Sequence, residues 1–139
     1  YLELGEVKFN SFAREDFIQN RDPQNLYFAV PATQFPFNPL GYKIRDGWPH
    51  DIPRVPRFSV SGFSIALDLL RSGKSAIYMP NFVAALENER SSGNSKIVKV
   101  AAHKGAESKR KLLLAKSSTH EESKEMKMVA KTLRKYCCL

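Results

Sequence analysis

No stretch of this chain stays apolar for more than a few residues. The longest such runs are Leu26–Val30 and Phe82–Leu86, with Leu112-Leu113-Leu114 a shorter one. A membrane-crossing helix needs ~20 apolar residues, so none is expected, and the opening residues do not read as a signal peptide. Cysteine is nearly missing as well, with Cys137 and Cys138 adjacent near the end. Neighbouring cysteines supply neither a spaced disulfide framework nor metal-ligand spacing, so two thiols that end a helix in a reducing, cytoplasmic setting are expected. The motifs HExxH, GxSxG, GxGxxG and the phosphate-cradling loop are all absent. His50, His103 and His120 lie in loop or helix-start contexts, without a carboxylate or nucleophile at suggestive spacing, and Glu15-Asp16 reads as a solvated acid pair. No catalytic residue, metal or cofactor is therefore expected, and the chain reads as a non-enzyme.

What is present is an ordinary globular composition. The 139 residues are 42% hydrophobic and 26% charged, which excludes a disordered polar chain or a collagen-like one. The length suits one domain of the usual ~100–200 residues, or part of one, and a chain opening on Tyr1 rather than Met is expected to belong to a longer protein. Charge is uneven: residues 1–70 hold 7 Lys/Arg against 8 Asp/Glu, a net of −1, and residues 71–139 hold 15 against 6, a net of +9. A basic half raises nucleic-acid binding, but single-strand platforms interleave aromatics with cations. Here most Phe and the Trp lie in residues 1–63 and the Lys and Arg concentrate in 96–135, so a solvated surface is expected instead.

Along the chain, Val7, Phe9 and, less regularly, Phe12 alternate as in a strand over residues 5–12, and Leu26–Val30 is a second strand closed by Pro31. Six prolines between 31 and 57 exclude a central strand or long helix there, while Phe35, Phe37, Tyr42 and Trp48 favour a packed connection. From Pro56 the pattern becomes α/β. Strand 57–60 leads into a helix with Phe63, Ala66, Leu67 and Leu70 on one face, capped by Ser59 or Ser61 and stopped at Gly73. Strand 75–79 ends at Pro80, and Asn81 caps a helix over 82–89. Strands follow at 97–100 and 111–115, with His103–Arg110 as a polar loop. A closing helix starts from a Thr119/Glu122 capping box and carries Met126, Val129, Ala130, Leu133 and Cys137 as its apolar stripe. The alternation over 56–101 predicts parallel pairing. Parallel strands would bring two strand-to-helix corners, one at Ser59, Ser61, Gly62 and Phe63 and one at Met79, Pro80 and Asn81, to one sheet edge. Free helix N–H groups there suit a small carboxylate. Ordinary helix capping explains the same residues equally well.

The stretch Arg57–Val83 (RFSVSGFSIALDLLRSGKSAIYMPNFV) resembles the effector-binding domain of LysR-type transcriptional regulators, most specifically from Gly73 to Pro80. Gly47-Trp48-Pro49 looks like a turn of one branch of the family. Residues 111–116 with the helix after Thr119 look like its last strand and closing helix. Where the family pattern has a second glycine two residues after Gly73, this chain has Ser75. The resemblance implies an α/β fold of the periplasmic-binding-protein type II-like kind, a Rossmann-like lobe with a crossing back to a partial second lobe. Residues 1–11 would be a remnant of the first effector subdomain, 12–104 the second subdomain, and 105–139 the strand and helix returning to the first. It further implies a homo-oligomeric sensor that holds a small, anionic effector in the interlobe cleft, faced by Ser59, Ser61, Gly62, Phe63, Met79, Pro80 and Asn81. DNA would be met only through an N-terminal winged helix-turn-helix outside these residues, and no membrane is involved. A solute-binding receptor of a transport system, which shares the fold, is the alternative.

Overall fold

A single long strand organises the chain. The computed structural model describes residues 1–32, 46–49, 51–91, 93–101, 103–117 and 123–138. In order they form β1 (Leu2–Arg14), α1 (Glu15–Ile18), β2 (Tyr27–Pro31), β3 (Val55–Val60), α2 (Phe63–Arg71), β4 (Ile77–Pro80), α3 (Asn81–Arg90), β5 (Ile97–Lys99), β6 (Ser108–Leu114) and α4 (Lys124–Cys137), with 3-10 turns at Pro23–Asn25 and Gly93–Ser95. The C-terminal half of β1 pairs antiparallel with β4 on one side, Phe9 opposite Pro80 through Phe12 opposite Ile77. On the other side it pairs antiparallel with β5, Phe12 opposite Lys99 through Arg14 opposite Ile97. Its N-terminal half pairs antiparallel with β6, Leu2 opposite Leu114 through Phe9 opposite Ser108.

β2 and β3 form a parallel pair, tied to β4 by a parallel bridge between Phe28 and Ala76 with N···O distances of 3.0 and 2.7 Å. The strands therefore run side by side as β3–β2–β4–β1–β5. This corrects the expected parallel pairing in two respects. β2 lies between β3 and β4. β4 and β5 do point the same way, but β1 lies between them and runs against both. Pro56 is accommodated because the β2–β3 register shifts after Phe28, where Phe28 faces Pro56 and Ala29 faces Phe58, the kind of irregularity at which a residue without an N–H is tolerated.

Strand alternation sorts the interior into two layers. Ala13, Phe28, Ala76 and Tyr78 turn to one face, where Phe17, Leu26, Trp48, Val100 and Ala106 cover them. Phe12, Ala29, Ile77 and Met79 turn to the other, under Ala66 and Leu70 of α2 and Ala84 of α3. The unbroken apolar run at 76–79 is thus what a central strand covered on both faces requires. The expected packing of Trp48 holds: its ring lies 5.3 Å from Phe28, 5.3 Å from Tyr78 and 5.2 Å from His103, and its indole N–H donates to the Ile52 carbonyl at 2.7 Å. Phe35, Phe37, Tyr42, His50 and His120 lie outside the described residues.

Helix ends differ from expectation in detail. The N-cap of α2 is Gly62, with no side-chain cap from Ser59 or Ser61. The N-cap of α3 is Pro80, which places Asn81 inside the first turn. The stop after α2 is as expected, since Gly73 takes φ +65 and the amides of Gly73 and Lys74 bond back to Leu70 and Leu69 at 3.0 Å each, a left-handed closure that favours glycine. α4 starts from Ser123, whose hydroxyl accepts from the Met126 amide at 3.1 Å; the Thr119/Glu122 box lies outside the described residues. In its stripe Ala130 is buried and Met126, Leu133 and Cys137 are half-buried, but Val129 is 47% exposed, one flank away from the side turned to β1. β6 begins at Ser108, inside the segment expected to be a loop. An Arg71–Glu87 ion pair (2.8 and 2.7 Å) clamps α2 to α3.

Candidate functional site

The carboxyl ends of β2 and β3, with the first residues of β4, leave a cavity of about 210 Å³ beside the start of α2. Ala29, Val30, Val60, Ala66, Ile77 and Tyr78 give it a wall that is mostly carbon. Among the described residues, polar groups enter from two sides. Ser61, Gly62 and Phe63 border it where β3 turns into α2, and the first amides of a nine-residue helix carry partial positive charge there. Asp46 borders it too, but its carboxylate is held in a two-pronged pair with Arg54 at 2.7 and 3.0 Å, so little net negative charge faces the cavity. A ligand with an apolar body and one small anionic or polar head fits this distribution. The cavity is smaller than the ~300–1,000 Å³ usual for ligand pockets.

The seven residues expected at the site separate into two groups. Ser61, Gly62 and Phe63 line the cavity, and Phe63 is half exposed at its rim. Ser59 is an exposed residue of β3 opposite Val30. Met79 is fully buried among the side chains under α2 and α3, and Pro80 is the N-cap of α3. Asn81 is engaged with β1, its Oδ1 accepting from the Asn10 amide nitrogen at 2.8 Å. Ser59, Met79, Pro80 and Asn81 are not among the residues bordering this cavity. β2 separates the two corners in the plane of the sheet, which the local α/β pattern does not disclose.

A second cavity opens on the opposite side of β1. About 520 Å³ in volume, it is lined by Asn10, Ser11, Lys99, His103, Lys104 and Glu107 among others. Among the described residues, Asn10 Oδ1, Ser11 Oγ and both ring nitrogens of His103 are buried without a hydrogen-bond partner. The His103 ring stands edge-on to Phe28 and Trp48. Burial, and secondarily Arg54, holds its pKa below the ordinary imidazole value. Next to it, burial pushes the Tyr78 phenol up, and its hydroxyl donates to the Ala106 carbonyl at 2.7 Å and meets Ser108 Oγ at 2.6 Å. Sequence reasoning singles out none of Asn10, Ser11 or His103 as a binding residue. The available signal is the break in alternation after Phe9, where two polar residues occupy consecutive strand positions.

No group of His, Cys, Asp and Glu among the described residues is arranged to hold a metal. No helix among them is long and apolar enough to cross a membrane.

No family model matches the sequence, and no curated protein matches it. Among solved structures, the chain is similar to a full-length variant of AphB, at 16% identity over 79% of this chain with a TM-score of 0.47. It is also similar to the C-terminal domains of a LysR family protein from Agrobacterium tumefaciens str. C58, at 11% identity over 79% of this chain with a TM-score of 0.45. The chain spans 38% and 53% of the length of these two. At such identities no side chain of either is carried over to this one.

Proposed function

We propose that the chain is a large part of the effector-binding domain of a LysR-type transcriptional regulator, acting without enzymatic chemistry in the cytoplasm. The architecture is read as periplasmic-binding-protein type II-like. Residues 12–104 form one lobe, and residues 1–11 with 105–139 belong to a second lobe whose remainder lies elsewhere in a longer protein. A small carboxylate with an apolar body is the effector, its head toward the first amides of α2 and its body against the β2–β3–β4 wall. Its binding shifts a homo-oligomer whose DNA contacts come from a winged helix-turn-helix outside these 139 residues. Besides the resemblance at Arg57–Val83, one observation carries this reading: a carbon-walled cavity at the carboxyl ends of parallel strands, bordered by a helix N-terminus, where α/β sheets place ligands.

The test is calorimetric titration with hexanoate and benzoate. Saturable binding is expected, weakened about tenfold or more (1.4 kcal/mol per decade) by Ala66→Leu, which fills the cavity, and less by Phe63→Ala, which trims its rim. Absence of binding by both acids, or equal binding by wild type and both variants, overturns the assignment.

A further inference from the structure

We infer, resting on the reading of the α2 cavity as the effector site, that the effector is a hydroxy acid whose neutral hydroxyl is accepted by Asp46. Asp46 borders the cavity and keeps 13% of its side-chain surface accessible. A carboxylate offers about four lone-pair sites. Among the described residues three of them are used. Oδ1 accepts from Arg54 Nη2 at 3.0 Å and from the Trp48 amide at 3.2 Å, and Oδ2 accepts from Arg54 Nη1 at 2.7 Å. The second site on Oδ2 has no donor among these residues. The acid is also fixed from behind. Arg54 lies 4.8 Å from the centroid of the Trp48 ring and 5.6 Å from that of Phe28, and Trp48 packs against Phe28 and Tyr78. Asp46 is thus an oriented acceptor and not a freely turning surface acid.

An apolar ligand body that fills the cavity takes water away from this oxygen. An acceptor stripped of water and left unpaired is costly, so the ligand that brings a donor to it is favoured over one that ends in carbon. Three groups could stand at this end, and the surroundings rank them. A carboxylate would face Asp46 and is opposed by like charge, which also directs the ligand's acid head to the other polar side, the α2 amides without a side-chain cap. An ammonium would lose its hydration among Ala29, Val30, Val60, Ala66 and Ile77 and would meet an acid that Arg54 already neutralises. A neutral hydroxyl supplies the missing donor at a smaller desolvation cost.

The experiment compares isosteres by calorimetric titration. 6-Hydroxyhexanoate is set against heptanoate, in which a methyl group replaces the hydroxyl, and 4-hydroxybenzoate against 4-methylbenzoate, with 6-aminohexanoate as the charged donor. In a cavity without an acceptor the hydroxyl is the harder group to desolvate, and the methyl acid of each pair binds more tightly. The reverse is expected for at least one pair, by about tenfold, with 6-aminohexanoate weaker than 6-hydroxyhexanoate. In Asp46→Ala the preference should vanish or reverse; any change of cavity shape acts on both members of a pair and leaves their ratio. Should that variant fail to fold, the order of the isosteres in the wild-type protein decides by sign alone. Methyl acids that bind as tightly as both hydroxy acids, or more tightly, overturn the hydroxyl and leave the effector site standing. Absence of binding by every acid, heptanoate included, overturns the effector site itself. A preference undiminished in Asp46→Ala, or tightest binding by 6-aminohexanoate, overturns the pairing of Asp46 with a neutral hydroxyl.

Discussion

The two cavities stand on opposite sides of the β4–β1 pair and are built on opposite principles. The one beside α2 has carbon walls, and the one charged side chain bordering it among the described residues, Asp46, is already held by Arg54; the first amides of α2, without a side-chain cap, are its open donor groups. Around the one beside β5 lie polar residues, and the inaccessible atoms Ser11 Oγ and both His103 nitrogens have no hydrogen-bond partner among the described residues. Satisfied apolar surfaces stabilise a fold whether or not a ligand comes, whereas unpaired buried polar groups weaken it until something pairs them. The first cavity is therefore compatible with pure packing, and the orphaned polar atoms beside the second are a local cost to the fold. The contrast extends to the layers beneath. The α2–α3 side is clamped by an ion pair at its surface, and the Trp48 side by a cluster of rings.

The sharpest way to break this contrast is at the rings. Trp48 is 8% exposed and touches Phe28, Tyr78 and His103 together. Trp48→Ala should cost about 3–5 kcal/mol of folding stability, measured by urea denaturation. Loss of the donor to Ile52 leaves that carbonyl in need of water or another partner. A cost below about 1 kcal/mol would mean that this layer is not core, and the unpaired atoms of His103 would then lose their claim to be buried by design.

The next effect lies on the other layer. Glu87 is buried at 7% exposure and accepts two bonds from Arg71, which holds its carboxyl below the usual glutamate range despite the opposing effect of burial. Arg71 keeps 45% of its side-chain surface in solvent, so screening reduces the gain, and Glu87→Gln should cost about 1–2 kcal/mol near neutral pH. A carboxyl with a lowered folded-state pKa contributes stability that is complete above its unfolded value, near 4.5, and is lost as pH falls through the lower folded value. The wild-type and Glu87→Gln proteins should therefore converge in stability as the solution is acidified below about 4.5. A gap that persists undiminished in acid would assign the effect to shape rather than charge.

Much of the α2–α3 layer is legible in the sequence alone. The run Ala76–Met79, the helical spacing of Ala66 and Leu70, and the stop at Gly73 are all local signals, and the fold places each at its expected position. The position of β1 is not legible in the same way. A strand enters a sheet through partners far away in sequence, here Ile77–Pro80 and Ile97–Lys99, and nothing within residues 5–12 names them. The site follows the same division. Ser61, Gly62 and Phe63 can be found from sequence because a strand-to-helix corner is local. Met79, Pro80 and Asn81 do not border the same cavity as Ser61, Gly62 and Phe63, because β2 lies between the two corners, which look adjacent from the local pattern of same-direction strands. Asn10, Ser11 and His103 escape such reasoning because the unpaired condition of a polar atom depends on everything packed around it.

The smallest effect tests the polar side by pH. Burial first, and Arg54 second, lowers the pKa of His103 from the ordinary 6.5. The unfolded chain therefore takes up a proton at a higher pH than the folded one. Stability is complete above about 6.5 and declines as pH falls from there through the folded value, because a charged imidazole must either remain between Phe28 and Trp48 beside Arg54 or leave. His103→Phe keeps a ring in that place and removes both unpaired nitrogens. It should change stability at pH 8 by no more than about 1 kcal/mol and flatten the decline between about pH 6.5 and 5 in urea-melt midpoints. A flattened decline would assign the proton to His103 itself. A decline that survives the substitution would place the proton elsewhere.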